Sequence, residues 1–206
     1  MAYVLGFFVA DGSMTKNKRG AHFIEFYITD KNLLIKIKKL IGSDNKISVR
    51  NRKGNWKTAY RLQIGSKKIF RDLLLLGMMP KKSKTLKLPK IPDEYFSHFV
   101  RGYFDGDGNV YANEYNRKCR NKKSVTLLSG FTSGSERFLK KLHKKLKEVA
   151  HLSGGTLFES SGAHHLYYSV KDSCKLYEFM YNTKGRLYLK RKKNVFEKYF
   201  SKREIV

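Results

Sequence analysis

The chain has 206 residues, with 44 Lys and Arg against 17 Asp and Glu, a net charge of +27 and 14% aromatic residues. That length holds one large core or two small ones, and the aromatic and apolar content excludes a disordered polycation. A charge of this size, carried by both halves, repels itself unless a polyanion is the partner, and nucleic acid is the polyanion that fits; Cys119 and Cys174 make neither a disulfide framework nor a zinc pattern, and no window is apolar enough to cross a membrane.

The first element is an apolar helix starting at the chain's first residues and ending in Asp11-Gly12. Residues 22–29 then alternate, with Ile24, Phe26 and Ile28 on one face, which predicts a strand. Residues 30–42 carry Leu33, Leu34, Ile37, Leu40 and Ile41 at helical spacing, with Asp30 as N-cap and Gly42 as stop. Residues 46–52 and 58–65 alternate on either side of a Lys-Gly-Asn turn, a hairpin signature. A helix over 66–77 is capped by Ser66 and stopped by Gly77.

All three prolines and a run of lysines fall in 78–93, which reads as a linker between a half at 1–92 and a half at 93–206. The same order then repeats: a helix at 94–107, a strand at 124–132, an amphipathic helix at 133–152, and a hairpin of GTLFESS and HHLYYSVK. A helix at 173–182 and a last helix from about Arg191 complete it. The adjacent His164 and His165 point to opposite faces of their strand, which suits surface or strand residues rather than metal ligands.

The two halves share a motif. YVLGFFVADGS (3–13) and FVRGYFDGDGN (99–109) align without gaps, matching Gly6 with Gly102, Asp11 with Asp107 and Gly12 with Gly108. The small residues Gly6 and Ala10, and Gly102 and Gly106, lie one turn apart, so two such helices can approach backbone to backbone. Asp11 and Asp107 then arrive side by side, each at a helix end whose partial negative charge disfavours a carboxylate. A divalent cation relieves both repulsions, and magnesium suits oxygen ligands and a phosphate substrate. Gly12 and Gly108 are expected to stop their helices in the left-handed conformation. Asp105 has Val9 as its counterpart and is given no catalytic role.

Strand parity sorts the remaining polar residues. With Val49, Tyr60, Leu62 and Ile64 inward, Ser48, Arg50, Arg52, Arg61 and Gln63 face outward, as do Glu25 and Tyr27. In the second half Tyr111, Asn113, Thr126, His165, Tyr167, Ser169 and Lys171 take the outward positions. Arg, Gln, Asn and Glu are the side chains that read base edges in the major groove.

These residues resemble the LAGLIDADG homing endonucleases. VLGFFVADG (4–12) and VRGYFDGDG (100–108) are the two copies of the namesake motif, and two copies in one chain look like the monomeric branch. The resemblance implies an α+β fold of pseudo-twofold αββαββα halves, whose two four-stranded antiparallel sheets form a DNA-binding saddle along the major groove. It implies a site-specific double-strand endonuclease in which Asp11 and Asp107 each serve one strand's phosphate, with two or three Mg2+ ions and the carbonyls of Ala10 and Gly106 as further ligands. The products are then 5′ phosphates and 3′ overhangs. It places a lysine near each scissile phosphate, matched here to Lys84 of Lys82-Ser83-Lys84 and Lys192 of Lys190-Arg191-Lys192. It places a polar residue after the second strand of each half to orient water, matched to Asp30 and Ser133, which also read as helix N-caps. Unlike halves imply a long target without strict palindromy, and the setting expected is intracellular. An RNA-binding maturase on the same fold is the alternative reading.

Overall fold

The computed structural model describes residues 1–50, 57–80, 84–117, 122–183, 185 and 187–203. The first half runs α1 (Ala2–Asp11), β1 (Gly12–Lys16), β2 (His22–Ile28), α2 (Lys31–Ile41), β3 (Ile47–Arg50), β4 (Ala59–Gly65) and α3 (Lys67–Leu75). The second runs α4 (Asp93–Asp107), β5 (Gly108–Arg117), β6 (Lys122–Ser133), α5 (Glu136–Val149), β7 (Thr156–Ser160), β8 (Ala163–Tyr168), α6 (Val170–Tyr181) and α7 (Lys190–Arg203). Each half holds a four-stranded antiparallel sheet, ordered β1-β2-β4-β3 and β5-β6-β8-β7. The expected α+β architecture of duplicated halves is therefore the one the chain adopts.

Local chemistry sets most boundaries. Asp30 accepts from the Leu33 N–H at 2.9 Å and Ser66 from the Ile69 N–H at 3.2 Å, satisfying donors that the first turns of α2 and α3 leave open. Gly42 closes α2 at φ 70°, a left-handed position open to glycine at little cost. The α5 cap falls later than the sequence pattern suggests. Ser135 accepts from Phe138 N–H and donates to the Leu86 carbonyl at 2.9 Å, while Ser133 accepts from Ser135 N–H.

The helices cover one face of each sheet. Phe8 meets Phe26 edge-on at 5.4 Å, and in the second half Phe104 meets Phe131 at 5.6 Å, so the duplicated motif supplies equivalent rings to two cores. Leu62 and Ile64 are buried as parity requires. Val49 pairs with Tyr60 on the core side of the edge strand β3 and is 56% exposed, an inward assignment that holds in register but not in burial.

Two sequence assignments are corrected. β8 ends at Tyr168 and α6 begins at Val170, so Ser169 and Lys171 leave the sheet: Ser169 precedes the helix and Lys171 lies in its first turn. The cause is Asp172, which is 3% exposed and accepts from the backbone N–H groups of Ser153 (2.9 Å) and Gly154 (2.7 Å), pulling this segment out of the strand. Arg52, Lys82, Ser83 and Cys119 lie outside the described residues.

Candidate metal centre at the helix seam

α1 and α4 meet through glycine. A Cβ on Gly6 would stand 2.0 Å from the Phe99 carbonyl oxygen, and one on Gly102 would stand 2.0 Å from that of Tyr3. The reciprocal distances show the seam's twofold character. One turn on, a Cβ on Gly106 would lie 2.4 Å from that of Ala10 and 3.2 Å from Asp11 Oδ2.

Gly12 and Gly108 do not stop their helices as expected. Both are extended, at φ −88°, ψ 153° and φ −85°, ψ 159°, and the chain passes directly from helix into strand. Glycine is needed there for space: a Cβ would stand 2.2 Å from the Phe8 ring or 2.3 Å from the Phe104 ring. This close turn sets Asp11 and Asp107 where the helix seam passes into the first strands of the two sheets.

Both carboxylates bear on the same neighbours. Each contributes to the field at the Tyr103 hydroxyl and at the Lys192 ammonium. Tyr103 donates to the Thr132 carbonyl at 2.8 Å, and burial pushes its pKa far up, so the hydroxyl stays protonated. Asp11, Asp105 and Gly106 line a cavity of about 220 Å³ with Tyr27, Thr29, Asp30, Ala59, Leu189 and Arg191. The basic residue of the 190–193 run that faces this cavity is Arg191.

Lys192 does not itself line this cavity. It is 6% exposed, and its Nζ donates to the carbonyls of Phe104 (2.7 Å), Asp105 (2.8 Å), Gly106 (3.1 Å) and Gly108 (2.6 Å). The ammonium thus satisfies the carbonyls left open at the end of α4 and offsets the helix dipole beside Asp107. Burial pushes it down to about 8, against the opposing pull of Asp105, and it is charged at neutral pH. With four carbonyls in reach, the ammonium serves the helix end. Lys84, its counterpart, is exposed in a short helical turn.

Asp105 is the site residue that sequence reasoning set aside. It is 2% exposed and accepts from the Tyr3 hydroxyl at 2.6 Å and from the Leu189 N–H at 2.7 Å, tying α1, α4 and the approach to α7 together. Burial raises its pKa to about 6 despite these bonds. A raised carboxyl contributes stability in full below the unfolded value and loses it as pH climbs through the folded one. Melting temperature is therefore expected to fall from about pH 4 to about pH 6, by an amount equivalent to about 3 kcal/mol from this group alone. Asp105→Asn keeps an oxygen for both donors and should flatten that slope, measured by thermal denaturation across the range; an unchanged slope counts against this assignment.

Beside Asp105, Arg101 is 1% exposed and donates to the carbonyls of Leu187 (2.8 Å) and Met180, to Thr183 Oγ1 (2.9 Å) and to His98 Nδ1 (2.9 Å). Because guanidinium only donates, Nδ1 of His98 accepts, and burial with the neighbouring Arg101 lowers that imidazole's pKa.

The donor set suits a hard divalent cation. Two carboxylates stand at helix ends among backbone carbonyls, and among the described residues no third His, Cys, Asp or Glu joins them. Magnesium is commonly bound by one or two carboxylates, its shell completed by waters and phosphate oxygens. Asp11 and Asp107 are the residues that would hold it. Of the two carbonyls matched by resemblance, that of Gly106 is shared with Lys192.

The register gathers the outward residues of the first sheet. Glu25 pairs with Gln63, Tyr27 with Arg61, and Arg61 with Ser48, while Arg50 sits opposite Ala59. Arg61 grips Glu25 through Nε (3.1 Å) and Nη2 (2.5 Å), and Gln63 donates to the same carboxylate at 2.7 Å. On the second sheet Tyr111, Asn113, Thr126, His165 and Tyr167 share the outward register. No described helix is long and apolar enough to cross a membrane.

Residues 1–75 match the family model of the LAGLIDADG-like domain. No curated protein matches the chain. Among solved structures, the I-LtrWI LAGLIDADG homing endonuclease bound to target DNA superposes with a TM-score of 0.64 at 15% identity, over 97% of this chain and 88% of that one. The LAGLIDADG meganuclease I-AabMI bound to uncleaved DNA gives 0.62 at 17%, over 98% and 90%. I-DmoI in complex with DNA and Mn gives 0.59 at 15%, over 88% and 96%. The likeness extends the fold to both halves.

Proposed function

We infer that this chain, which carries the two-domain LAGLIDADG fold, is a site-specific endonuclease that cuts both strands of duplex DNA with divalent metal. The observation that carries the reading is the pair Asp11 and Asp107, set by glycine contacts at one seam between two sheets whose outward faces are polar or aromatic. Solved proteins of this fold include endonucleases bound to DNA, one with calcium and one with Mn.

In this mechanism the sheets lie along the major groove, and Arg50, Arg61 and Gln63 meet base edges, Arg61 pre-set by its grip on Glu25. The lysine-rich surface meets phosphates and sets register without reading sequence. Asp11 and Asp107 would hold the cations. A divalent cation such as magnesium, bound there, would supply an activated water and stabilise the leaving 3′ oxygen. Lys192 keeps the end of α4 neutralised and in place. The basic group that lines the cavity is Arg191, and Lys84 is the candidate in the first half. A single chain with unlike halves suits a long target that is not palindromic, cut to leave 3′ overhangs.

The test is selection of bound duplexes from a random pool, followed by insertion of the enriched sequence into a plasmid. We expect linear plasmid with magnesium and none with chelator. Failure to enrich any sequence, or failure to cut an enriched one, overturns the reading.

A further inference from the structure

The two outward sheet faces differ in chemistry. The first carries Arg50, Arg61, Glu25 and Gln63. On the second, the outward register positions within 109–115, 124–132, 156–160 and 163–167 hold no Lys, Arg, Asp or Glu. In their place stand Asn, Ser and Thr and a cluster of rings. Phe158 of β7 lies 5.3 Å from His165 and 5.7 Å from Tyr167 of β8, with ring planes within 23° and 16° of parallel. Tyr167 lies against Gly130 of the neighbouring strand, where a Cβ would come within 2.8 Å of the ring. Tyr111 and Leu128 face each other across β5 and β6 and are 51% and 38% exposed, and Phe158 is 42% exposed.

A face without charged side chains is an unusual way for a protein of charge +27 to meet a polyanion. The apolar group that B-form DNA offers in its major groove is the C5-methyl of thymine; the other base edges there present hydrogen-bond donors and acceptors. We propose that the second sheet selects thymine by packing Tyr111, Leu128, Phe158 and Tyr167 against C5-methyl groups, so that one half of the target is thymine-rich while the other is read by hydrogen bonds from Arg61 and Gln63. The proposal rests on the endonuclease reading and adds to it a division of labour. Glycine at 130 is part of the device, since it lets the Tyr167 ring lie down on the sheet.

The test uses the whole chain and the duplex enriched by selection, held uncut with calcium. Replacing dT by dU removes only the methyl group. Burying one methyl is equivalent to about fourfold in affinity, so dU throughout the thymine-rich half should weaken binding about tenfold, while dU in the other half changes it less than about twofold. Phe158→Ser and Leu128→Asn, both at exposed positions, should erase that difference with melting temperature held. Equal sensitivity of the two halves, or sensitivity that both variants leave intact, overturns the proposal and leaves the endonuclease reading standing. Failure to enrich any duplex removes both. Binding of single-stranded RNA that Phe158→Ser abolishes makes the patch a base-stacking platform instead and also overturns thymine selection.

Discussion

Asp11→Asn and Asp107→Asn are each expected to stop double-strand cleavage, lowering its rate about a thousandfold or more, with duplex binding in calcium changed only a few-fold. Asparagine keeps the shape and one oxygen but gives up the charge that holds a cation. The same substitutions relieve the repulsion between the two acids but also remove a charge that attracts the Lys192 ammonium, so melting temperature should change by the equivalent of about 1 kcal/mol or less. Loss of activity with stability held separates a chemical role from a structural one. Conversion of supercoiled plasmid to nicked and linear forms reads the first, and calorimetry the second. If either variant linearises plasmid at the parent rate, the assignment of the paired acids is wrong.

Gly102→Ala is expected to be the most damaging single methyl in the chain, with Gly6→Ala its equal. The added Cβ would stand 2.0 Å from a backbone carbonyl oxygen, Tyr3 in one case and Phe99 in the other, and backbone cannot turn aside as a side chain can. The helices must separate, stretching the Tyr3–Asp105 bond and loosening rings packed on both sides. Overpacking of this kind costs about 3 kcal/mol, which in a domain of this size lowers the melting temperature by about 10 °C. Cleavage should fall further than stability does, since displacing a reacting group by about 1 Å costs about a hundredfold. Gly20→Ala is the control: it has a left-handed φ of 80° but open space around it, so only local strain is expected. A Gly102→Ala protein with parent melting and cleavage would show that backbone contact at the seam does not hold the two helices.

The contrast between these sites explains how much the sequence disclosed. Asp30, Ser66 and Gly42 cap their helices as read, because a cap acts within three or four residues of itself. The outward register of Glu25, Arg61 and Gln63 followed from alternation alone, because side chains in a strand switch face at every step. Ser169 and Lys171 were misread because the alternation of β8 continues into residues that Asp172 bends into a helix through bonds to Ser153 and Gly154. Within Lys190-Arg191-Lys192 no local pattern distinguishes the residue that turns inward from the one that faces the cavity. Contacts to residues 104–108 make that choice.

By itself, the sequence determined that two acids occur at matched points of a duplicated helix, that both halves favour a polyanion, and that the fold is α+β in two equivalent parts. Those are properties of composition, period and nearest neighbours. The tertiary structure decided which charges are buried and what each one does: Asp105 bound to Tyr3 and Leu189, Arg101 bound to carbonyls about 80 residues away, Lys192 closing the end of α4, and an aromatic face on the second sheet against a charged one on the first. A charge or ring takes its role from partners that only folding brings into reach, and burial makes those partners obligatory, because a polar group taken out of water without one is costly to keep.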